Sequence, residues 1–202
     1  MAVLADNRAK LVIKPGASST YFGTGGPADA LSTHGGILFP YQPDITYQQS
    51  VSYTPYDMVH TNYTFNAYRN TPSPSIQMNA QFASVTEEEG AYTLGVIHFL
   101  RSISKMFSGL NQSFPTAGTP PPVLEFSAFG TEQFYKIPVV VTAFSVNFDS
   151  NVDLKLFKGG QQLPVLQNMF IDLSVQQNPD RQKRKFTTNS FIGGQAYKDG
   201  FI

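Results

Sequence analysis

From Phe39 onward the chain is dominated by alternation of apolar and polar positions. In ITYQQSVSY, Ile45, Tyr47, Val51 and Tyr53 fall on one face of an extended chain and Thr46, Gln48, Ser50 and Ser52 on the other. This predicts a half-buried strand. NYTFNAY repeats the pattern with Tyr63, Phe65 and Ala67, and SIQMNAQF sets Ile76, Met78, Ala80 and Phe82 against Ser75, Gln77, Asn79 and Gln81. The prolines of TPSPS stop both strands and force a turn. Downstream, VLEFSAF alternates again, and FYKIPVVVTAFSVNF reads as a longer, mostly apolar strand in which Pro138 marks an edge or a bulge. LPVLQNMFIDLSVQQNP turns Met169, Ile171, Leu173 and Val175 inward before Asn178 and Pro179 end it.

One segment changes period. TEEEGAYTLGVIHFLRS opens on a capping box, in which Thr86 accepts from the amide of Glu89 while Glu89 reaches back to that of Thr86. Glu87 and Glu88 suit the positive end of the helix dipole, and Arg101 and Lys105 the negative end. The spacing predicts a helix over 87–107, closed by Gly109. Tyr92, Val96, Phe99, Ile103 and Met106 form one apolar stripe, which Leu94, Ile97, Leu100 and Phe107 widen. Only a narrow polar strip around His98, Arg101 and Lys105 remains. Such a helix needs cover from its own sheet and from a second surface, which we expect on a neighbouring subunit. Strands before and after a single helix predict a mainly β fold, an antiparallel sandwich or barrel with the helix on its side.

Residues 1–36 carry one short apolar run, KLVIKPG, and then a stretch rich in Gly, Ser and Thr. They are expected to form an N-terminal arm or long loop beside a domain over 37–202. GTGG within them lacks the Lys-Ser/Thr ending of a phosphate-binding loop and reads as turn glycines.

Composition narrows the possible partners. The 202 residues fit one domain, and 14 basic against 14 acidic side chains give zero formal charge, so no global field draws the chain to nucleic acid or anionic lipid. Only 14% of residues are charged, a neutral polar surface poorly protected against association, which predicts an assembled native state. Cysteine is absent, excluding disulfides and thiol chemistry. The first residues lack the apolar run of a signal peptide and no segment reaches the length of a membrane span, so synthesis inside the cell is expected and the sequons at Asn62 and Asn111 are read as accidental. Between residues 41 and 85 only Asp44, Asp57 and Arg69 are charged. The neutral strand face there fits either a wetted inner wall past which a polyanion slides or a plain outer surface rich in Ser, Thr and Gln.

No catalytic, metal or cofactor set emerges. His34, His60 and His98 are scattered, and none has a partner at metal-ligand spacing. Glu87, Glu88 and Glu89 are explained by the helix start. Glu125 and Glu132, across an expected hairpin, leave open a glycosidase-type pair. The basic run Arg181, Lys183, Arg184 and Lys185 adjoins Asp180 and is expected to dock on an acidic protein surface rather than on nucleic acid.

The order ILFPYQPDITYQQSVSYTPYDMVHTNYTFNAY, then PSPSIQMNAQFASVTEEEGAYTLGVIHFLRSISKMF, then QQNPDRQKRKFTTNSF, resembles the baseplate tail-tube proteins of contractile-tailed bacteriophages, the tail tube initiators. The resemblance runs from about residue 37 to the end. It implies the tail-tube fold, two packed antiparallel sheets with one flanking helix, assembled as a hexameric ring on the baseplate hub. Such a ring initiates tail tube and sheath assembly and lines a channel for DNA passage. On that footing Gln48, Ser50, Ser52, Gln77, Asn79 and Gln81 are lumen-lining candidates, and Tyr92, Val96, Phe99, Ile103 and Met106 serve helix packing and the subunit interface. The implied partners are further copies of the chain, hub proteins, the tail tube protein or a second initiator, the tape measure protein, sheath and wedge. DNA is met only in transit, and no membrane, cofactor or enzymatic activity is implied. The virion tail baseplate would be the location, after assembly in the host cytoplasm. The main tail tube subunit, a baseplate-associated cell-wall hydrolase and a receptor-binding β-sandwich are the alternatives.

Overall fold

Alternation is realised most fully in the strands Ser75–Ala83 and Leu166–Val175, which pair antiparallel from Ser75 opposite Ser174 to Ala83 opposite Leu166. Ile76, Met78, Ala80 and Phe82 are buried on one face with Met169, Ile171, Leu173 and Val175. The computed structural model describes residues 7–13, 19–22, 25–106, 118–130, 132–157, 160 and 162–202. Expected features at Phe107, Gly109 and Asn111 lie outside them. The protein is mainly β, with antiparallel sheets.

In chain order the elements are β1 Lys10–Ile13, α1 Ser19–Phe22, a 3-10 segment Pro27–His34, β2 Gly36–Leu38, β3 Asp44–Gln48, β4 Ser52–Tyr56 and β5 Phe65–Asn70. Then follow β6 Ser75–Ala83, α2 Glu87–Ile103, β7 Leu124–Ala128, β8 Phe134–Asn147, β9 Leu154–Leu156, β10 Gln162–Pro164 and β11 Leu166–Val175. The C-terminal part holds α3 Pro179–Lys185, α4 Thr188–Ile192 and a 3-10 turn Ala196–Asp199. Seven strands form one sheet in the order β2-β1-β7-β8-β11-β6-β3, while β4-β5 and β9-β10 are separate hairpins.

That sheet is rolled. In a flat sheet β2 and β3, six strand steps apart, would be separated by roughly 29 Å. The chain from Leu38 to Asp44 spans at most about 21 Å. The edges must therefore approach, and Phe39 after β2 meets Phe82 of β6 with ring centroids 6.0 Å apart. Tyr47 of β3 likewise lies 6.4 Å from Phe134 at the start of β8. β8 is the shared wall: Phe134–Val139 pair with β7, and Val139–Asn147 with β11. Of the sandwich or barrel expected, the main sheet takes a rolled form in which two halves of one continuous sheet face each other across a single core.

The segment read from sequence as an N-terminal arm is part of this core. β1 pairs with β2 and with β7, burying Leu11 fully between them. The 3-10 segment lies along α2, where Phe22 stacks on Phe99 with centroids 5.4 Å apart and an interplanar angle of 4°. It escaped the sequence reading because its apolar residues are few and are buried by a helix far along the chain.

α2 starts as expected. Thr86 Oγ1 accepts from Glu89 N at 3.2 Å and Glu89 Oε2 accepts from Thr86 N at 3.0 Å. Its apolar excess is met largely within the chain: β6 and β8 cover one side, the 3-10 segment and α1 another, and Phe157 closes on Gly90. The helix ends at Ile103, short of the expected 107, and Met106 beyond it is exposed.

Candidate functional surface

The inward face of the β8–β11–β6–β3 half is filled with apolar side chains, so period-two geometry puts a second set outward. Register assigns its members. Thr46, Gln77 and Asp172 lie side by side across β3, β6 and β11, next to a row of Asp44, Asn79 and Phe170. Gln81 is opposite Asn168, which in turn is opposite Asn147. Gln48, Ser75 and Ser174 form a further row. Among the described elements the C-terminal 3-10 turn packs on the first part of β8, and the rest of this face is open; its charged groups are Asp44 and Asp172, with exposed Lys136 nearer the start of β8.

Four of the six lumen candidates, Gln48, Gln77, Asn79 and Gln81, therefore share one open surface. Ser50 and Ser52 do not. The strand expected over ITYQQSVSY breaks at residues 49–51: β3 stays in the main sheet, while Ser52 begins the separate β4–β5 hairpin. Val51 and Tyr53, expected on a buried face, are exposed, as are Tyr63, Phe65 and Ala67. Sequence reasoning missed Asn168 and Asp172 on the open face because it followed only the inward set of β11, although strict alternation signals both.

Among the described residues, neither lateral edge of this half pairs with a further strand. β3 pairs only with β6, and Val140–Asn147 of β8 pair only with β11. Free edges present unpaired N–H and C=O groups in line, a template for strand addition.

The helix candidates divide. Val96, Phe99 and Ile103 are buried within the chain and Tyr92 is half-buried, so these four pack internally instead of presenting a subunit interface. Tyr92 places its hydroxyl between the backbone N–H and C=O of Leu38, each at 2.8 Å, and burial raises its pKa.

The basic run forms α3, capped by Asn178, whose side chain accepts from Asp180 N at 2.9 Å. Lys185 and Arg181 turn back on Asp199, at 2.6 and 3.7 Å. The hydrogen bond from Lys185 is the chief reason that carboxyl sits below its ordinary pKa. Of the four docking candidates, Lys183 and Arg184 are left pointing outward without an ion pair among the described residues.

Glu125 lies opposite Pro138, while Glu132 sits in the turn at the far end of the same hairpin. The ladder thus separates them by roughly 10 Å or more. Among the described residues no group of three or more His, Asp or Glu side chains converges as a metal site, and no helix is long and apolar enough to cross a membrane. No protein-family model and no curated protein matches the chain.

Proposed function

We propose that this chain is a ring-forming structural protein of a contractile phage tail, built on the tail-tube fold and acting as a tube initiator at the baseplate. The observation that carries the reading is the β8–β11–β6–β3 half of the sheet, with one face largely open and poor in charge and, among the described residues, both edges unpaired. Its two free edges are different strands, so a contact between β3 of one copy and β8 of the next is heterologous and closes by rotation. Four strands from each of six copies make about 24, and at 4.7–4.9 Å per strand the closed wall is roughly 37 Å across, wider if the strands tilt. Barrels of roughly 16–18 strands already enclose an aqueous channel. The open face would line it, and a wall whose β3, β6 and β11 carry no Lys or Arg gives a passing polyanion little cationic anchorage.

In this role the protein is a scaffold without catalytic chemistry. Its partners are further copies, hub proteins below and a tube or second initiator ring above, with tape measure, sheath and wedge nearby, and its place is the virion tail. Electron microscopy of the purified chain tests the reading, with discrete six-fold rings enclosing a channel as the expected result. Long tubes formed unaided would reassign the protein as the main tube subunit. A monomer or trimer at high concentration, or clearing of peptidoglycan by the purified chain, would overturn the reading.

A further inference from the structure

The C-terminal segment does not lie flush on the sheet. At the end of the main sheet where β3 and β11 stop and β6 starts, the 3-10 turn Ala196–Asp199 packs on β8, so closely that a Cβ on Gly200 would sit 2.8 Å from the carbonyl oxygen of Lys136. Phe186 joins this segment together, with its ring 5.4 Å from that of Phe201 and 6.1 Å from that of Phe191. Two adjoining cavities remain between these rings and the rim of the sheet, and both are lined by Gln49, Phe191, Phe201 and Ile202. Their volumes, about 450 and about 410 Å³, are in the range of ligand sites.

The first lobe is aromatic. Tyr47, Phe134, Phe191 and Phe201 wall it, with the Tyr47 and Phe134 rings at 62° to each other. Glu132 is the only charged side chain of its lining, and it makes no ion pair among the described residues. Ring faces attract cations, and a carboxylate beside them suits a guanidinium, which stacks on rings and meets a carboxylate through two parallel hydrogen bonds. Lys198 already uses one ring of the lining, its ammonium 5.9 Å from the centre of Tyr197.

The second lobe is polar without charge. Thr71, Ser73, Gln176 and Gln182 line it beside Pro72 and Pro74. Their hydroxyls and amides can both donate and accept, which is what an extended backbone needs. Gln49, common to both lobes, takes the Tyr47 hydroxyl on its carbonyl oxygen at 2.6 Å and keeps its amide nitrogen for a further acceptor. Nucleic acid or anionic lipid would meet a carboxylate and no base in this lining. A purely apolar segment would leave the polar groups of the second lobe unmatched. The chain's own basic run is helical in α3 and has Arg181 and Lys185 bound to Asp199, so the segment that fits belongs to another protein.

We infer that this two-lobed groove docks an extended peptide segment of a partner protein, with an arginine side chain among Tyr47, Phe134 and Phe191 facing Glu132, and with its backbone passing Gln49 into the second lobe. The groove is complete within one copy of the chain and does not depend on ring closure.

A synthetic array of random peptides, probed with the labelled full chain, supplies the ligand. Bound sequences are expected to share an arginine beside an apolar residue, and an array without binders, or with binders that lack the arginine, would overturn the inference. For the strongest binder, Glu132→Gln in the chain and alanine in place of the peptide arginine should each weaken binding at least tenfold in fluorescence anisotropy, and both together hardly more than either alone. Losses that multiply would show that the two groups do not meet, and would overturn it as well. Glu88→Gln, which removes an exposed carboxylate from α2, is expected to leave binding unchanged. A loss equal to that of Glu132→Gln would reduce the binding to general attraction between opposite charges and refute the groove.

Discussion

Tyr92 shows how a single atom can tie distant parts of the chain together. By period it belongs to the apolar stripe of α2, and its ring is half-buried there. Its hydroxyl holds the end of β2, 54 residues earlier, through both backbone groups of Leu38. Nothing local in the sequence foretells that pairing, because the partner is main chain and carries no side-chain signature. Removing the hydroxyl leaves a donor and an acceptor short of partners in a partly buried place, which costs about 1–3 kcal/mol. Tyr92→Phe should therefore lower the unfolding free energy by that amount, seen as a lower urea midpoint with an unchanged slope. An unaltered midpoint would show that water replaces the bond without loss.

At the scale of elements, legibility followed locality. The capping box needs only Thr86 and Glu89 and could be read directly. The inward faces of β6 and β11 followed from alternation alone. Alternation reports which side chains share a face, but it is silent on whether the next strand remains in the same sheet, and so the break after Gln48 went unseen. The cover of α2 was half legible, since the excess of apolar positions demanded a second surface but could not name it. The helix meets the 3-10 segment at Gly95, where an added Cβ would lie 2.8 Å from the carbonyl oxygen of Pro27. Within a helix, alanine is favoured over glycine by about 1 kcal/mol, so Gly95→Ala sets propensity against contact. Displacement of the 3-10 segment is expected to prevail, seen as faster proteolysis within residues 27–34. Greater stability with unchanged proteolysis would mean that the segment does not press on the helix.

For the whole molecule, equal numbers of acids and bases conceal two carboxylates whose protonation opposes folding. Glu89 is held below its ordinary pKa chiefly by the backbone N–H of Thr86 and then that of Val85, and Asp199 chiefly by Lys185. Both bind protons less readily when folded than when unfolded. The stability they contribute is complete above the ordinary carboxylate range and is lost as pH falls through their lowered folded values. The thermal midpoint should thus hold steady from neutral pH and decline below about pH 4, with a shallower decline in the Glu89→Gln, Asp199→Asn double variant. An identical decline in that variant would place the acid sensitivity elsewhere. The open face was legible as a set of neutral positions but not as a surface, because its rows assemble only when β11, made last, enters between β6 and β8.

That late entry has a consequence for how the protein is made. β1 leaves the ribosome more than a hundred residues before β7, its partner, which at roughly 5–20 residues per second is a wait on the order of ten seconds. β6 and β8 wait in turn for β11, which pairs with both. A chain released before Leu166 holds its strands in disconnected groups with much of the apolar face open to water. Such a fragment can present neither a closed core nor the complete open face, and its exposed apolar strands leave an unfinished product prone to aggregation.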